Sequence, residues 1–196
     1  MKTMLMTLQA TETAVIIPVA AAEPVVADHR RRLDPSAAWG VPAHITVLYP
    51  FVPPAEVDET VIGRLAAVFA AASPFDCSFA KCGWFGEDVL WLAPDREQEL
   101  RDLTDRVVAQ FPGYPPYGGE FDDVIPHLTV GESWRGTPDE LRAVETDVER
   151  KLPITARIEH AQLIAGTHQP DSWHTVATLP LGRPGNVGSR QAADRS

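Results

Sequence analysis

The chain has 196 residues, enough for one well-buried domain or two small lobes sharing a core and too few for a many-domain assembly. Hydrophobic residues make up 44% and charged residues 22%, globular proportions that exclude a disordered regulator, a collagen-like chain or a coiled-coil fibre. Acidic residues outnumber basic ones 27 to 17, a formal net charge of -10, which argues against DNA or long RNA held by Lys and Arg and leaves room for a small anion in a local site.

Lys2 precedes an apolar run ending in Ala20, Ala21 and Ala22, but Gln9, Thr11, Glu12 and Thr13 interrupt it. Neither a signal peptide nor a membrane span is therefore expected. Ala14 to Val19 reads as the first strand. Glu23 to Arg32 reads as a helix ending before Asp34-Pro35, and Ala43 to Phe51 alternates like a strand up to Pro53-Pro54. Asp58 is placed to cap a helix over Val61 to Ala72, with Ile62, Leu65, Ala66 and Phe69 on one face. Phe75 to Lys81 and Val89 to Leu92, separated by Gly83 and Gly86, predict a hairpin. Asp95 is expected to open a helix reaching Phe111, followed by a Pro-, Gly- and Tyr-rich loop, Pro112 to Gly119, and a strand from Val124 to Val130. Thr137-Pro138-Asp139-Glu140 is a strong helix start, and that helix should run to about Lys151. A last hairpin is expected to pair Ile154 to Ile164 with Trp173 to Leu181. The tail, 183–196, is polar and expected to be disordered.

The two halves repeat. Each has a strand carrying His44-Ile45-Thr46-Val47 or His127-Leu128-Thr129-Val130, then a helix, then a hairpin, with a period of 83 residues from His44 to His127. Such self-similarity implies duplication about a pseudo-twofold axis. Two motif strands meeting near that axis would bring the two His-x-Thr pairs to one central cleft. A single bilobal domain is expected over 1–182, with repeats at about 40–93 and 123–181. In a strand, residues i and i+2 share a face, so His44 points with Thr46, and His127 with Thr129. Composition alone predicts about 0.04 His-x-Thr-Val matches, and two are present on equivalent strands.

On these residues, Pro42-Ala43-His44-Ile45-Thr46-Val47-Leu48-Tyr49-Pro50-Phe51 and Pro126-His127-Leu128-Thr129-Val130, the chain resembles the two-histidine (2H) phosphoesterases. That family includes bacterial 2′,5′ RNA ligase-like proteins and cyclic nucleotide phosphodiesterases. The resemblance covers roughly residues 14 to 182. It implies an α+β fold class, a two-lobed duplicated fold of antiparallel sheets flanked by helices around a central cleft, and metal-independent chemistry on a cyclic phosphate or phosphodiester, with His44, Thr46, His127 and Thr129 as the site. Many RNA-processing relatives place a basic residue just after the second motif, where this chain has Gly131-Glu132.

The chemistry also follows from the residue types. Opening a 2′,3′-cyclic phosphate needs a base for water and an acid for the departing ribose oxygen. Imidazole, with an ordinary pKa near 6.5, suits both. The two threonine hydroxyls can donate to oxygens on which charge develops. No cofactor is expected, and no metal: two histidines lack a third ligand, because Glu56 and Glu132 do not stand at metal-site spacing. Tyr49, which follows the first motif, and Tyr114 and Tyr117 in the loop before the second, are candidates to stack on a base. His29, His160, His168 and His174 lack a matching threonine and repeat partner; Arg30, Arg31 and Arg32 could place one guanidinium towards a phosphate, but they read rather as a solvated helix face. Cys77 and Cys82, at odd spacing in one strand, should point to opposite faces and stay unpaired, in a reducing, cytoplasmic setting.

The sequence thus predicts hydrolysis of a cyclic phosphate on a nucleotide or short RNA end by a monomer. Alternatives are a 2′,5′ RNA ligase or nuclease and a non-catalytic nucleotide- or RNA-binding module.

Overall fold

Glu12–Pro18 (β1) is an inner strand because five consecutive residues, Thr13 to Ile17, can be buried on both of its faces. In the computed structural model, which describes residues 9–120 and 123–182, its side chains divide two environments. Val15 and Ile17 enter the main core, while Ala14 and Ile16 join a smaller cluster with Val41 and Ile164. The expected tail, 183–196, lies outside the described residues. No helix among the described residues is long and apolar enough to cross a membrane.

Two four-stranded antiparallel sheets result. The first has His44–Leu48 (β2), β1, His160–Gly166 (β7) and His174–Pro180 (β8) in that order. The second has Leu128–Glu132 (β5), Val89–Pro94 (β4), Phe75–Phe85 (β3) and Ile154–Ile158 (β6). Each sheet therefore carries one His-x-Thr motif at one of its edges, and β2 lies against β5. The helices are exchanged in the same pseudo-symmetric sense. Glu23–Leu33 (α1), which leaves β1, packs on β5 of the other sheet, and Glu97–Gln110 (α4), which leaves β4, packs on β2.

The helix faces follow the sequence periods. Leu65, Val68 and Phe69 are buried on Glu59–Ala70 (α3), and the Asp58 side chain accepts the Val61 N–H at 2.8 Å. Leu141, Val144 and Val148 are buried on Pro138–Glu149 (α5), which opens with a full capping box between Thr137 and Glu140. Gly131 permits the α1 contact: a Cβ there would stand 2.8 Å from Leu33 Cβ and 2.9 Å from a Leu141 methyl.

Four expectations are corrected. The run Ile154 to Ile164 is not one strand: Ile154, Ala156 and Ile158 point inward, then the buried phase slips to Ala161 and Leu163, and the chain passes from the second sheet to the first. Gly83 does not separate strands but sits inside β3 opposite Trp91, whose indole lies where a Cβ would be, within 2.5 Å. Asp95 does not cap α4; its carboxylate accepts the Ser78 N–H at 2.7 Å, and the helix begins after Arg96. The bulge in β3 between Phe79 and Lys81 resets the alternation, so Cys77 and Cys82 both reach the core instead of opposite faces, and both thiols are free.

Candidate active site

The two edge strands deliver their polar pairs to one place. His44 and Thr46 are half-buried between buried Ala43, Ile45 and Val47, and His127 and Thr129 between buried Pro126, Leu128 and Val130. All four line a single cavity of about 810 Å³ between the sheets.

The imidazoles are held identically. His44 Nδ1 lies 2.7 Å from the Pro42 carbonyl oxygen, and His127 Nδ1 lies 2.7 Å from that of Ile125, in each case two residues back. A carbonyl can only accept, so each Nδ1 carries the proton and each neutral ring presents an unprotonated Nε2. Phe85 packs edge-on to the His127 ring at 4.8 Å and fixes its plane further. Burial, with the Arg30 guanidinium and then the charge on His127 adding to it, lowers the His44 pKa to about 4. Burial also lowers that of His127 below its ordinary value.

Each motif strand then bulges at the residue after its threonine. Ile16 opposes Thr46 while Val15 opposes Leu48, and Trp91 opposes Thr129 while Leu90 opposes Gly131. The extra residue reverses the alternation, so the side chain five places after each histidine returns to the cavity instead of the opposite face. Those residues are Tyr49 and Glu132, and both line it.

The remaining walls come from distant segments. Trp39, at the end of Pro35–Ala38 (α2), stacks on His168 at 4.2 Å with rings 13° apart. His168 Nε2 and the Tyr49 hydroxyl meet the same Glu12 carboxylate oxygen at 3.1 and 3.0 Å. The loop carrying His168 is tied to α2 by the Asp171 N–H on Ala38 O and the Trp173 N–H on Trp39 O. Tyr117 enters with a left-handed backbone, φ 50°, stabilised by its N–H on Tyr49 O at 2.6 Å, and its phenol is hydrogen-bonded to Thr46.

Of the sequence-predicted site residues, His44, Thr46, Tyr49, Tyr117, His127 and Thr129 line the cavity and Tyr114 does not. The Tyr114 ring packs on Phe51 and its hydroxyl donates to Glu56. Sequence reasoning missed Asp34, Trp39, Glu132, His168 and Trp173 as lining residues. It also misplaced Arg30, which is only 2% exposed: Nε donates to Asp34 at 2.9 Å and Nη2 to Ser36 Oγ and Val41 O. An arginine four residues before an aspartate, Arg30 and Asp34 here, is the sequence signal that could have found the pair. Among the described residues, no three His, Cys, Asp or Glu side chains group to hold a metal ion.

Comparison with known proteins agrees with this architecture. The family model for the 2'-5' RNA ligase superfamily matches residues 17–169. A "Putative phosphoesterase" of Bacillus cereus strain G9842 is 30% identical over 110 residues, 53% of this chain and 58% of its own length, and a Bacillus cytotoxicus relative is 30% identical over 105. The chain thus spans 58% of the length of these curated relatives. Escherichia coli LigT complexed with 3'-AMP superposes with a TM-score of 0.56 at 15% identity, over 89% of this chain and 100% of LigT. A Thermus thermophilus protein gives 0.57 at 16%, over the same shares. At these identities the structural likeness is one of fold, and it is the family model, spanning most of the chain and both motifs, that decides: this chain belongs to the 2'-5' RNA ligase superfamily, the two-histidine phosphoesterases.

Proposed function

We propose that the site hydrolyses a 2′,3′-cyclic phosphate on a nucleotide or short RNA end, without a metal, using His44 and His127 as its acid–base pair. The observation that carries this reading is the matched anchoring of the two imidazoles, Nδ1 on a carbonyl and Nε2 toward a shared cavity. One neutral Nε2 takes a proton from water as the water oxygen attacks phosphorus. The bond from phosphorus to one ribose oxygen breaks, and that oxygen receives the proton of the other imidazole. Hydroxyl protons of Thr46 and Thr129 are available to the non-bridging oxygens, where negative charge grows. Small nucleotides fit the cavity's size and aromatic walls, and the free thiols fit a cytoplasmic setting.

Acid, base and donors are all supplied by side chains, so turnover of a 2′,3′-cyclic nucleotide should be the same in EDTA as without it. Loss of activity on chelation, restored by zinc or magnesium, would contradict the metal-free step. The same pair acting on a 5′-hydroxyl nucleophile would give ligation by reversal. Product analysis against a panel of cyclic phosphates, separating 2′- from 3′-phosphates and ligated dinucleotides, tests the direction.

The pH dependence follows from the buried imidazoles. The working form carries one proton on the pair, whichever ring holds it. The second proton is taken up only near pH 4, the lowered His44 value, and the first is lost below the ordinary histidine value of 6.5. A profile of kcat/KM, which reports the free enzyme, should therefore be a bell centred on the acid side of neutrality. An optimum above pH 7 would contradict it.

A further inference from the structure

The cavity wall contains no lysine or arginine among the described residues, and three carboxylates, Asp34, Asp123 and Glu132. Two of them are neutralised. Asp34 pairs with Arg30 at 2.9 Å and Asp123 with Arg101 at 2.5 Å. Glu132 forms no ion pair within the described residues, and its Oε2 is buried with no hydrogen-bond partner. Its counterpart at the other motif, Tyr49, spends its hydroxyl on Glu12. Burial, with Asp34 adding to it, pushes the Glu132 pKa up to about 7, against a weaker opposing pull from Arg135.

We propose that Glu132 sets the substrate class of this site: it accepts a hydrogen bond from an N–H or O–H of the ligand at the β5 end of the cavity, and it turns away ligands that bring a second phosphate there. The proposal rests on the phosphoesterase reading and narrows it. A buried carboxyl oxygen without a donor carries an uncompensated desolvation cost, which a ligand donor relieves. A cyclic diester carries one negative charge, served by the imidazoles and threonine hydroxyls. A terminal phosphate carries up to two, and in a poorly screened cavity it would face Glu132 with no cationic side chain on the wall to meet it.

The test compares adenosine 3′-monophosphate with adenosine 3′,5′-bisphosphate by calorimetric binding at about pH 8, above the raised Glu132 value so that its carboxylate is charged, to the wild type, Glu132→Gln and Glu132→Arg. It is run beside turnover of adenosine 2′,3′-cyclic phosphate with and without a 5′-phosphate. The wild type should favour the monophosphate by about tenfold or more, E132Q should bring the two within about threefold, and E132R should reverse the order. An unchanged ratio in both variants overturns the proposal, as does a wild type that binds neither probe. If E132R does not fold, E132Q, which keeps the shape and removes the charge, decides alone. Binding ratios that shift as expected without any turnover would leave Glu132 in this role and remove the hydrolase reading. Turnover with unshifted ratios would do the opposite.

Discussion

His44→Ala and His127→Ala are each expected to lower kcat on a 2′,3′-cyclic nucleotide by about a hundredfold or more, the usual contribution of a general acid or base. Both must matter, because each imidazole presents its own Nε2 from its own sheet and the step needs one as base and the other as acid. Thr46→Ala and Thr129→Ala should cost less, about tenfold, for one lost hydrogen bond to the developing charge. His29, paired with Asp147 on α5, and His160, outside the cavity, supply the controls, and their alanine variants should turn over like the wild type. Steady-state kinetics on all six proteins checks the set.

Arg30→Met should produce the largest loss of stability. The guanidinium is buried and spends its donors on Asp34, Ser36 and Val41, and removing it leaves the Asp34 carboxylate, itself 2% exposed, without its cation. Breaking one side of a buried pair costs about 3–5 kcal/mol, whereas replacing both sides with apolar residues is often close to neutral. The Arg30→Met/Asp34→Leu double variant should therefore recover much of the loss, less the cap that Asp34 provides to the Ser36 N–H. Urea unfolding at neutral pH measures both. Because the Arg30 charge also helps to hold the His44 pKa down, Arg30→Met should move the acid limb of the kcat/KM profile to higher pH.

The motifs were legible because they rest on the shortest rule in the chain, the two-residue period of a strand, written twice. Helix starts at Asp58 and Thr137 were legible for the same reason, being local hydrogen-bond chemistry. What was not legible depends on departures from those periods. The bulges after Thr46 and Thr129 turn Tyr49 and Glu132 inward, although their spacing from the histidines is odd; Tyr49 was a candidate because it follows the first motif, not because its inward face could be read. Glu132 therefore registered in the sequence as a departure from a family pattern and as a rejected metal ligand, not as a residue of the cavity. The slip at Glu159 is visible in hindsight as a step of three from inward-facing Ile158 to Ala161, where a continuous strand would step by two. Trp39 and His168 meet only because α2 and the loop after β7 share backbone hydrogen bonds, which no local pattern announces. Arg30 was read as surface because a helix usually solvates its arginines. Here the i+4 position holds a buried aspartate.

The central claim is that two symmetrically held imidazoles act as one acid–base unit, and the kcat of the His44→Ala/His127→Ala double variant tests it most directly. Groups that act as a unit are strongly non-additive, since losing either already abolishes the joint step. The double variant should then be little slower than either single variant, within about threefold, with all three proteins folded as judged by urea unfolding. A double variant slowed by the full product of the two single losses would mean that the histidines contribute independently, and would contradict the account.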